Sequence, residues 1–166
     1  MNDSADFWIR ELNLQPHPEG GYFREAYRSE EKTEDLPERY NGARCFATSI
    51  YFLVKADKFS AFHRIKSDET WHFYSGSPLK VYILHGRNEI QEVLLGKDPF
   101  KKEVLQYTIR RGEWFAAKAE MESGFSLTGC TVAPSFEFDD FEMGEYEKLS
   151  VIFPSHTLLL KKFCIR

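Results

Sequence analysis

A histidine and a glutamate lie six residues apart in a stretch that could perform acid–base chemistry. His63 comes near the end of the apolar run 59–65, and Glu69 stands just before the next run, 70–75. The polar residues between the runs predict a turn, and a hairpin would direct both side chains toward one interior. Burial among aromatic rings raises the pKa of a carboxyl group, which suits a general base or an anchor for a ligand hydroxyl. We therefore predict His63 and Glu69 as a catalytic pair.

Two structural interpretations of this pair stay open. His63 can be a core histidine whose hydrogen bonds are satisfied, and Glu69 can form an ion pair with Arg64 or Lys66. If the pair is catalytic, we expect His63 to take a proton alpha to a carbonyl group while Glu69 orients the imidazole.

A tyrosine is expected to return that proton, and the choice depends on strand parity. Strict alternation from an inward Glu69 directs His72 and Tyr74 to the opposite face, unless a β-bulge reverses them. We predict Tyr74 as the third catalytic residue, with Tyr51 as the alternative, and we leave His72 either in the cavity or on the outer face.

Further residues suit a ligand-binding role by their chemistry. Ser49 and Tyr51 could supply hydroxyl groups, Arg24 could grip an anion through paired hydrogen bonds, and Trp114 with Phe115 could form an aromatic wall. Glu19 lies in a turn, 17–21, that two prolines and two glycines make rigid. Core packing or surface pairing explains each of them as well. The predicted binding residues are His72, Tyr51, Ser49, Arg24, Glu19, Trp114 and Phe115.

The elements that must position these residues are short and rich in β-branched and aromatic residues. Turn signals separate the runs at the spacing of a barrel or sandwich, so a parallel nucleotide-binding sheet is disfavoured. We predict a short N-terminal helix that Asp3 caps and that runs to Asn13, and two C-terminal helices, 145–152 and 156–163, separated by Pro154. We also predict a solvated loop over 29–39 and an extended cover over 136–142 with its acids facing water. The predicted strands are 46–54, 59–65, 70–75, 79–85, 90–95, 104–109, 114–119 and 125–132.

Composition narrows the class of function. The 166 residues fit one domain, 1–166, and 16% of them are aromatic, which argues against disorder. A net charge of −4 favours neither nucleic acids nor anionic membranes as partners. The three cysteines match no metal or redox motif, so we expect reduced thiols. The first residues lack an apolar signal segment, and we expect a cytoplasmic protein.

The segment around His63 resembles the first motif of the cupin superfamily, H-x-H followed by a glutamate and a glycine. His63, Glu69 and Gly76 fit that motif, but Ile65 stands where its second histidine belongs. The second motif, P-x-G-x-x-H, keeps only Gly112 at its best placement. Two of the four metal ligands of the family would thus be absent, and we predict neither a native metal nor another cofactor.

Five ordered blocks resemble more closely the cupin branch described as a domain of unknown function. The blocks are 14–25, 48–53, 67–74, 114–117 and 129–138. The resemblance implies a mostly β fold, the double-stranded β-helix or cupin jelly-roll barrel, with a pocket inside the barrel and a homodimer. It implies no reaction, although this branch is structurally similar to dTDP-sugar epimerases, germins and auxin-binding proteins.

Three functional hypotheses follow. The first is a protein that binds a small polar metabolite, sugar-like or anionic, and isomerises or epimerises it without a metal. The second is a metal-dependent cupin enzyme that uses His63, Glu69 and a further ligand such as His72. The third is a non-catalytic binding or interaction module whose cavity is filled by aromatic rings, and a cavity too small for a ligand would favour it.

Overall fold

The computed structural model describes residues 4–86, 89–122 and 124–165. Its elements are mainly short antiparallel strands, as the alternating sequence runs predict. In these described residues the strands are β1 (Gln15–Pro16), β2 (Tyr22–Arg28), β3 (Lys32–Thr33), β4 (Arg44–Cys45), β5 (Thr48–Lys55), β6 (Ser60–Ile65), β7 (Asp68–Gly76), β8 (Leu79–His85), β9 (Glu89–Leu95), β10 (Gln106–Ile109), β11 (Trp114–Ala119), β12 (Phe125–Ala133) and β13 (Phe141–Met143), and the α-helices are α1 (Ala5–Glu11), α2 (Tyr146–Ile152) and α3 (Thr157–Phe163).

Two sheets enclose the main core. The larger sheet has the strand order β1-β2-β5-β12-β7-β10, the smaller has the order β13-β6-β11-β8-β9, and β3 pairs with β4 apart from both. Every second residue of a strand points between the sheets, so Phe52 and Trp71 of the larger sheet meet Ile83 and Phe115 of the smaller one. Apolar burial on both inner faces holds the layers together.

The helices cover the outer faces of the sheets. Ser4 caps α1 by accepting a hydrogen bond from the Phe7 N–H at 3.2 Å, whereas the predicted cap, Asp3, lies outside the described residues. Apolar residues of α1 pack on Leu53 and Leu127 of the larger sheet. α2 and α3 pack in the same way on the smaller sheet. The predicted fold class, mostly β with helices at both ends, is confirmed.

The structure corrects two predicted loops. The loop over 29–39 contains β3, which pairs with β4 and is therefore not wholly irregular. The cover over 136–142 contains a 3₁₀ turn, and its Asp140 is only 5% exposed instead of facing water. Asp140 is buried because Arg44 grips it through two hydrogen bonds, Nε to Oδ2 at 2.7 Å and Nη2 to Oδ1 at 2.8 Å.

Two predicted turns, over 86–88 and 122–124, include residues 87, 88 and 123, which lie outside the described residues. Within the described part of the chain, no helix has the length and apolar character needed to cross a bilayer.

Candidate active site

A cavity of about 100 Å³ opens between the sheets at the end where the cover segment 136–141 crosses the larger sheet. Aromatic and aliphatic side chains form most of its wall, and polar groups are grouped on β6, β7 and the turn before β2. Its lining residues are His17, Glu19, Phe23, Glu25, Arg28, Thr48, Ile50, Phe52, His63, Ile65, Glu69, Trp71, Cys130, Val132, Phe136, Glu137, Phe138 and Phe141.

The structure brings the predicted pair, His63 and Glu69, to the wall of this cavity. Both side chains are buried, with residue exposures of 2% and 7%. The two cations offered as structural partners of Glu69 pair elsewhere, because Arg64 binds Glu142 and Lys66 binds Asp140. Glu69 is therefore a buried carboxyl group without an arginine or lysine partner in the described chain.

The carboxyl group that contacts His63 is Glu19 and not Glu69. The His63 Nε2 atom lies 3.1 Å from Oε2 of Glu19, and its Nδ1 atom lies 2.7 Å from the carbonyl oxygen of Ala61. Ser60 donates a hydrogen bond to Oε1 of Glu19 at 2.7 Å. The sequence hypothesis in which Glu69 orients His63 is thus corrected: Glu19, from the turn 17–21, holds that position.

His17 completes a buried network around Glu19. Its Nδ1 atom accepts a hydrogen bond from the Glu19 backbone N–H at 3.3 Å and also lies 3.3 Å from Glu19 Oε2. The neutral His17 ring must therefore carry its hydrogen on Nε2, and His63, which donates from Nδ1 to Ala61, carries none on Nε2. His17 Nδ1 already accepts from the backbone, whereas His63 Nε2 faces Oε2 of Glu19 without a hydrogen of its own. The hydrogen between His63 and Glu19 must therefore come from Oε2 of Glu19.

Burial agrees with that assignment of protons. Desolvation lowers the pKa of His17 to about 4 and that of His63 to about 3, so both rings are neutral at pH 7. Desolvation, with the nearby charge of Glu69, raises the pKa of Glu19 well above its usual range. Glu19 is consequently a neutral acid that donates its hydrogen bond to an imidazole.

Glu69 differs from Glu19 in how readily it ionises. Desolvation raises the pKa of Glu69 to about 7, and the polar groups of Cys130 and then Trp71 beside it limit the rise. The indole N–H of Trp71 is close enough to lower this pKa, yet Nε1 makes no geometrically acceptable hydrogen bond to any residue the structure describes. Near neutral pH, Glu69 therefore exchanges between carboxylate and acid.

Two N–H groups of the cavity wall remain available to a ligand. Trp71 is 1% exposed, and within the described chain its buried Nε1 atom has no acceptor. The hydrogen-bearing Nε2 of His17 likewise has no hydrogen-bond partner among residues 4–86, 89–122 and 124–165. A buried N–H without an acceptor is costly, so the indole of Trp71 favours a ligand that brings an oxygen atom, and the N–H of His17 on the same cavity wall offers a second donor.

Four predicted residues lie off the cavity, and strand alternation explains each case. The inner residues of β5 are Thr48, Ile50 and Phe52, which leaves Ser49 and Tyr51 on the outer face. On β7, Glu69, Trp71 and Phe73 are buried, which leaves His72 and Tyr74 outside. The ring of Tyr74 is half exposed and lies 6.2 Å from that of Tyr51, and His72 bonds to Thr131.

The bulge that could have turned His72 inward comes too late in the strand. Register along β7 and β12 shifts only after the pair Phe73–Thr128, so Tyr74 is the residue left without a partner in the ladder. His72 still pairs with Gly129 in the regular part of the ladder. His72 and Tyr74 therefore lie outside the cavity, and their predicted roles in an interior site are wrong.

A second bulge, on β2, explains why Arg28 lines the cavity and the predicted Arg24 does not. Register shifts between Glu25 and Tyr27, which brings Arg28 to the cavity rim, while Arg24 faces outward and lies over the Tyr51 ring at 5.5 Å. Arg28 bonds to Glu25 and Glu137. The sequence did not predict Arg28, because strict alternation along β2 without the bulge would direct its side chain away from the cavity.

The predicted aromatic wall divides between two places. Phe115 packs behind the site, with its ring centroid 4.1 Å from that of His63. Trp114 belongs to the cluster beneath the C-terminal helices, where Arg64 lies over its ring at 4.5 Å. The rings that line the cavity come instead from Phe23, Phe52 and Trp71, together with the cover segment.

The donor groups of this cavity do not form a metal site. The residues described by the structure contain no group of three or more His, Cys, Asp or Glu side chains that could hold a metal ion. Around Glu19, the candidate donors are already engaged with one another, as the contacts of His17 and His63 show.

The turn that carries His17 and Glu19 depends on Gly20. This residue has φ +105°, and a Cβ atom there would collide with the carbonyl oxygen of Phe59. Gly42 has a similar φ, +88°, but a Cβ atom on Gly42 would meet nothing within 4 Å.

We therefore expect Gly20→Ala to lower the free energy of unfolding by more than the roughly 1–3 kcal/mol that a strained φ alone costs. Gly42→Ala should cost only that strain, and urea unfolding of both variants measures the difference. Equal losses would show that the close approach to Phe59 does not hold the turn.

Comparison with known proteins agrees with the two-sheet architecture. The chain is 34% identical to a hypothetical protein from Leishmania major, with a TM-score of 0.89 and coverage of 98% of this chain and 99% of that one. It is 37% identical to protein SO0799 from Shewanella oneidensis, with a TM-score of 0.87 and 98% coverage of both chains. The uncharacterized yeast protein YML079W is 27% identical over 161 residues, 88% of this chain and 79% of its own length.

More distant structures share the fold alone. Oxalate decarboxylase from Bacillus subtilis is 14% identical, with a TM-score of 0.55 over 92% of this chain and 37% of that one. A protein from Klebsiella pneumoniae with a double-stranded β-helix domain is 12% identical, with a TM-score of 0.50 over 81% of this chain and 93% of that one. The predicted double-stranded β-helix is thereby confirmed. A family model described as Cupin superfamily (DUF985) matches residues 6–144, and the chain therefore belongs to that family.

Proposed function

We propose that this protein binds a small carbonyl compound in the cavity and isomerises it by moving a proton with Glu69. The observation that carries the proposal is the pair of carboxyl groups on one cavity wall whose surroundings separate their ionisation. Glu19 holds its proton, whereas burial brings the pKa of Glu69 to about 7. Carboxyl groups tuned apart in this way are typical of sites that need one acid and one base.

The proposed steps use only side chains that line the cavity. Glu69, as a carboxylate, removes a proton from the carbon alpha to the ligand carbonyl, and the electron pair moves to the carbonyl oxygen as an enolate. The N–H groups of Trp71 and His17 stabilise the negative oxygen, as preorganised donors do in other enzymes. The hydroxyl group on the deprotonated carbon then gives its proton to the enolate oxygen and becomes the new carbonyl, while Glu69 returns the first proton to the former carbonyl carbon.

Glu19 and His63 support this chemistry from behind. Both ring nitrogens of His63 are engaged, by Glu19 and by the Ala61 carbonyl, so His63 is a positioning residue rather than the base expected from the sequence. A neutral Glu19 also removes a second negative charge from the cavity, where it would oppose ionisation of Glu69 and of the enolate.

The cavity volume limits the ligand. A cavity of about 100 Å³ lies well below the roughly 300–1,000 Å³ of pockets that enclose drug-sized ligands. It therefore suits a short carbonyl compound. Dihydroxyacetone, with three carbons, is therefore a suitable probe for the proposed reaction.

Exchange of carbon-bound protons tests the proposal directly. We expect the protein to accelerate the exchange of dihydroxyacetone protons with D₂O above the buffer rate, as followed by ¹H NMR, because removal of the alpha proton is the proposed first step. A rate equal to that of buffer alone, for this and other short carbonyl compounds that bind, would contradict isomerisation.

The small volume favours one second candidate, a protein that binds a short polar ligand without chemistry. Under that candidate the network of Glu19 with both histidines is purely structural. Ligand-induced thermal stabilisation without proton exchange would support binding alone, since a ligand at 100 times its dissociation constant adds about 2.7 kcal/mol.

A further inference from the structure

A second depression of about 540 Å³ adjoins the cavity on its β6 side. It is an open groove, and two of its lining residues, Ile65 and Phe141, also line the cavity. The two spaces therefore meet at these two side chains. Because the groove is several times larger than the cavity, it can hold a ligand part that the cavity cannot.

The charge in the groove is opposite to that of the chain. Four cations line it, Arg39, Arg64, Lys66 and Arg111, on a protein of net charge −4. Most of the acids beside them are already neutralised: Arg64 pairs with Glu142, and Arg44 grips Asp140 from behind in a bidentate pair.

Three cations consequently remain for a ligand. Lys66 lies 3.3 Å from Asp140, a carboxylate whose charge Arg44 already balances. Neither Arg39 nor Arg111 forms an ion pair with any acid in the described residues, and Asp139 is the one groove acid there without a paired cation. The groove therefore carries a positive surplus.

The backbone holds these cations in position. Arg39 donates from Nε to the carbonyl oxygen of Lys66 at 3.0 Å, and its guanidinium group lies over the Tyr40 ring at 4.7 Å. The backbone N–H of Arg111 bonds to Asp68 at 2.9 Å, while the Gly112 N–H bonds to the carbonyl oxygen of Ile65 at 2.8 Å. The guanidinium group of Arg39 is thus held at the groove and loses little freedom when it binds an anion, and the backbone of Arg111 is fixed beside it.

Phe141 joins this groove to the proposed reaction site. Its ring centroid lies 5.3 Å from that of His63 and 5.8 Å from that of His17. Phe141 also lines the groove. A ligand passing this ring would place a charged end among the cations and an uncharged end beside Glu69.

We propose that the groove binds the phosphate group of a short phosphorylated carbonyl compound, whose carbonyl end enters the cavity past Phe141. This inference rests on the proposed function for the cavity end, but the groove can be tested alone. Phosphate suits this groove because arginines bind its oxygen atoms through paired, charge-assisted hydrogen bonds.

Dihydroxyacetone phosphate and dihydroxyacetone form the decisive pair of probes. We expect the phosphorylated probe to bind at least about tenfold more tightly in calorimetry, because charge-assisted hydrogen bonds are the stronger kind. Inorganic phosphate should shift the amide signals of Arg111 and Gly112. Added salt should weaken the phosphorylated probe and leave the other unchanged.

Variants locate the effect. Arg39→Gln with Arg111→Gln should remove most of the tenfold preference, whereas Arg110→Gln, which alters a neighbouring arginine paired with Asp68 outside the groove, should keep it. Equal affinity of the two probes, or equal loss in the control variant, would overturn the groove assignment.

The same experiments separate the two proposals. If dihydroxyacetone protons exchange in a Glu69-dependent manner but phosphate adds no affinity, the cavity function stands and the groove assignment fails. If phosphate binds at the groove while no proton exchange occurs with either probe, the groove stands and the isomerase proposal fails.

Discussion

Replacing Glu69 by glutamine is expected to lower the rate of alpha-proton exchange by about 10²- to 10⁴-fold, the usual contribution of a general base. Glutamine keeps the size of the side chain and its position on β7 but cannot accept the proton. The ¹H NMR assay in D₂O measures the rate, with dihydroxyacetone binding measured separately so that lost affinity is not mistaken for lost catalysis.

A matched substitution far from the cavity serves as the control. Glu120→Gln removes a carboxylate that pairs with Lys80 on the surface, and its exchange rate should equal that of the natural chain. Exchange by Glu69→Gln at the natural rate would remove Glu69 from the mechanism and leave binding without chemistry as the better account.

The Glu69→Gln variant should also differ in how its stability depends on pH. The folded pKa of Glu69, about 7, lies above its ordinary value of 4.5, so the folded state holds this proton more tightly than the unfolded state. Stability must therefore fall as pH rises from about 4.5 to about 7, by up to roughly 3 kcal/mol for this group. The variant should lose that part of the decline.

The largest effect on stability is expected from Arg44→Met. Arg44 and Asp140 have side-chain exposures of 4% and 3%, and removing one partner of a buried pair costs about 3–5 kcal/mol, a loss that Lys66, 3.3 Å from Asp140, offsets only in part. Arg44 also donates to three carbonyl oxygens, those of Asn41, Gly42 and Ala43. Urea unfolding should therefore show a much lower midpoint.

Two further variants test the cause of that loss. Arg110→Met breaks an exposed pair with Asp68 and should cost about 1 kcal/mol or less. Adding Asp140→Asn to Arg44→Met should recover part of the loss, because it removes the stranded carboxylate. Equal costs for Arg44→Met and Arg110→Met would show that the buried pair does not hold the cover over the cavity.

The order of strands and helices was predictable because the signals are local. Alternation and turn residues placed β8 and β11 at their observed bounds, and Pro154 correctly separated the two C-terminal helices. The inward direction of Glu69 also followed from parity along one regular strand, whereas the direction of His72 was left open and its predicted binding role was wrong.

The partner of His63 was not predictable, because it comes from a turn more than 40 residues earlier. Proximity along a hairpin suggested Glu69, but the long-range packing of the turn 17–21 on β6 delivers Glu19 instead. The rigidity of that turn was the available signal. The bulge on β2 was not predictable for a similar reason. The register shift that turns Arg28 inward depends on pairing with β5, which is distant in sequence.

The cover segment illustrates the same limit. The alternation of Phe136, Phe138 and Phe141 with acids predicted an extended cover whose acids face water, and the three rings line the cavity. One acid, Asp140, is nevertheless buried, because Arg44 on β4 forms an ion pair with it. A charge pattern cannot show such a partner when the two residues are distant in sequence.

The most direct measurement of the central claim is a ¹³C NMR titration of the glutamate side-chain carboxyl groups, with signals assigned through Glu69→Gln and Glu19→Gln. We predict that Glu69 titrates near pH 7 and that Glu19 remains protonated at that pH. If instead both carboxyl groups were ionised at pH 5, the cavity would hold no acid and no tuned base, and the proposed chemistry would be contradicted.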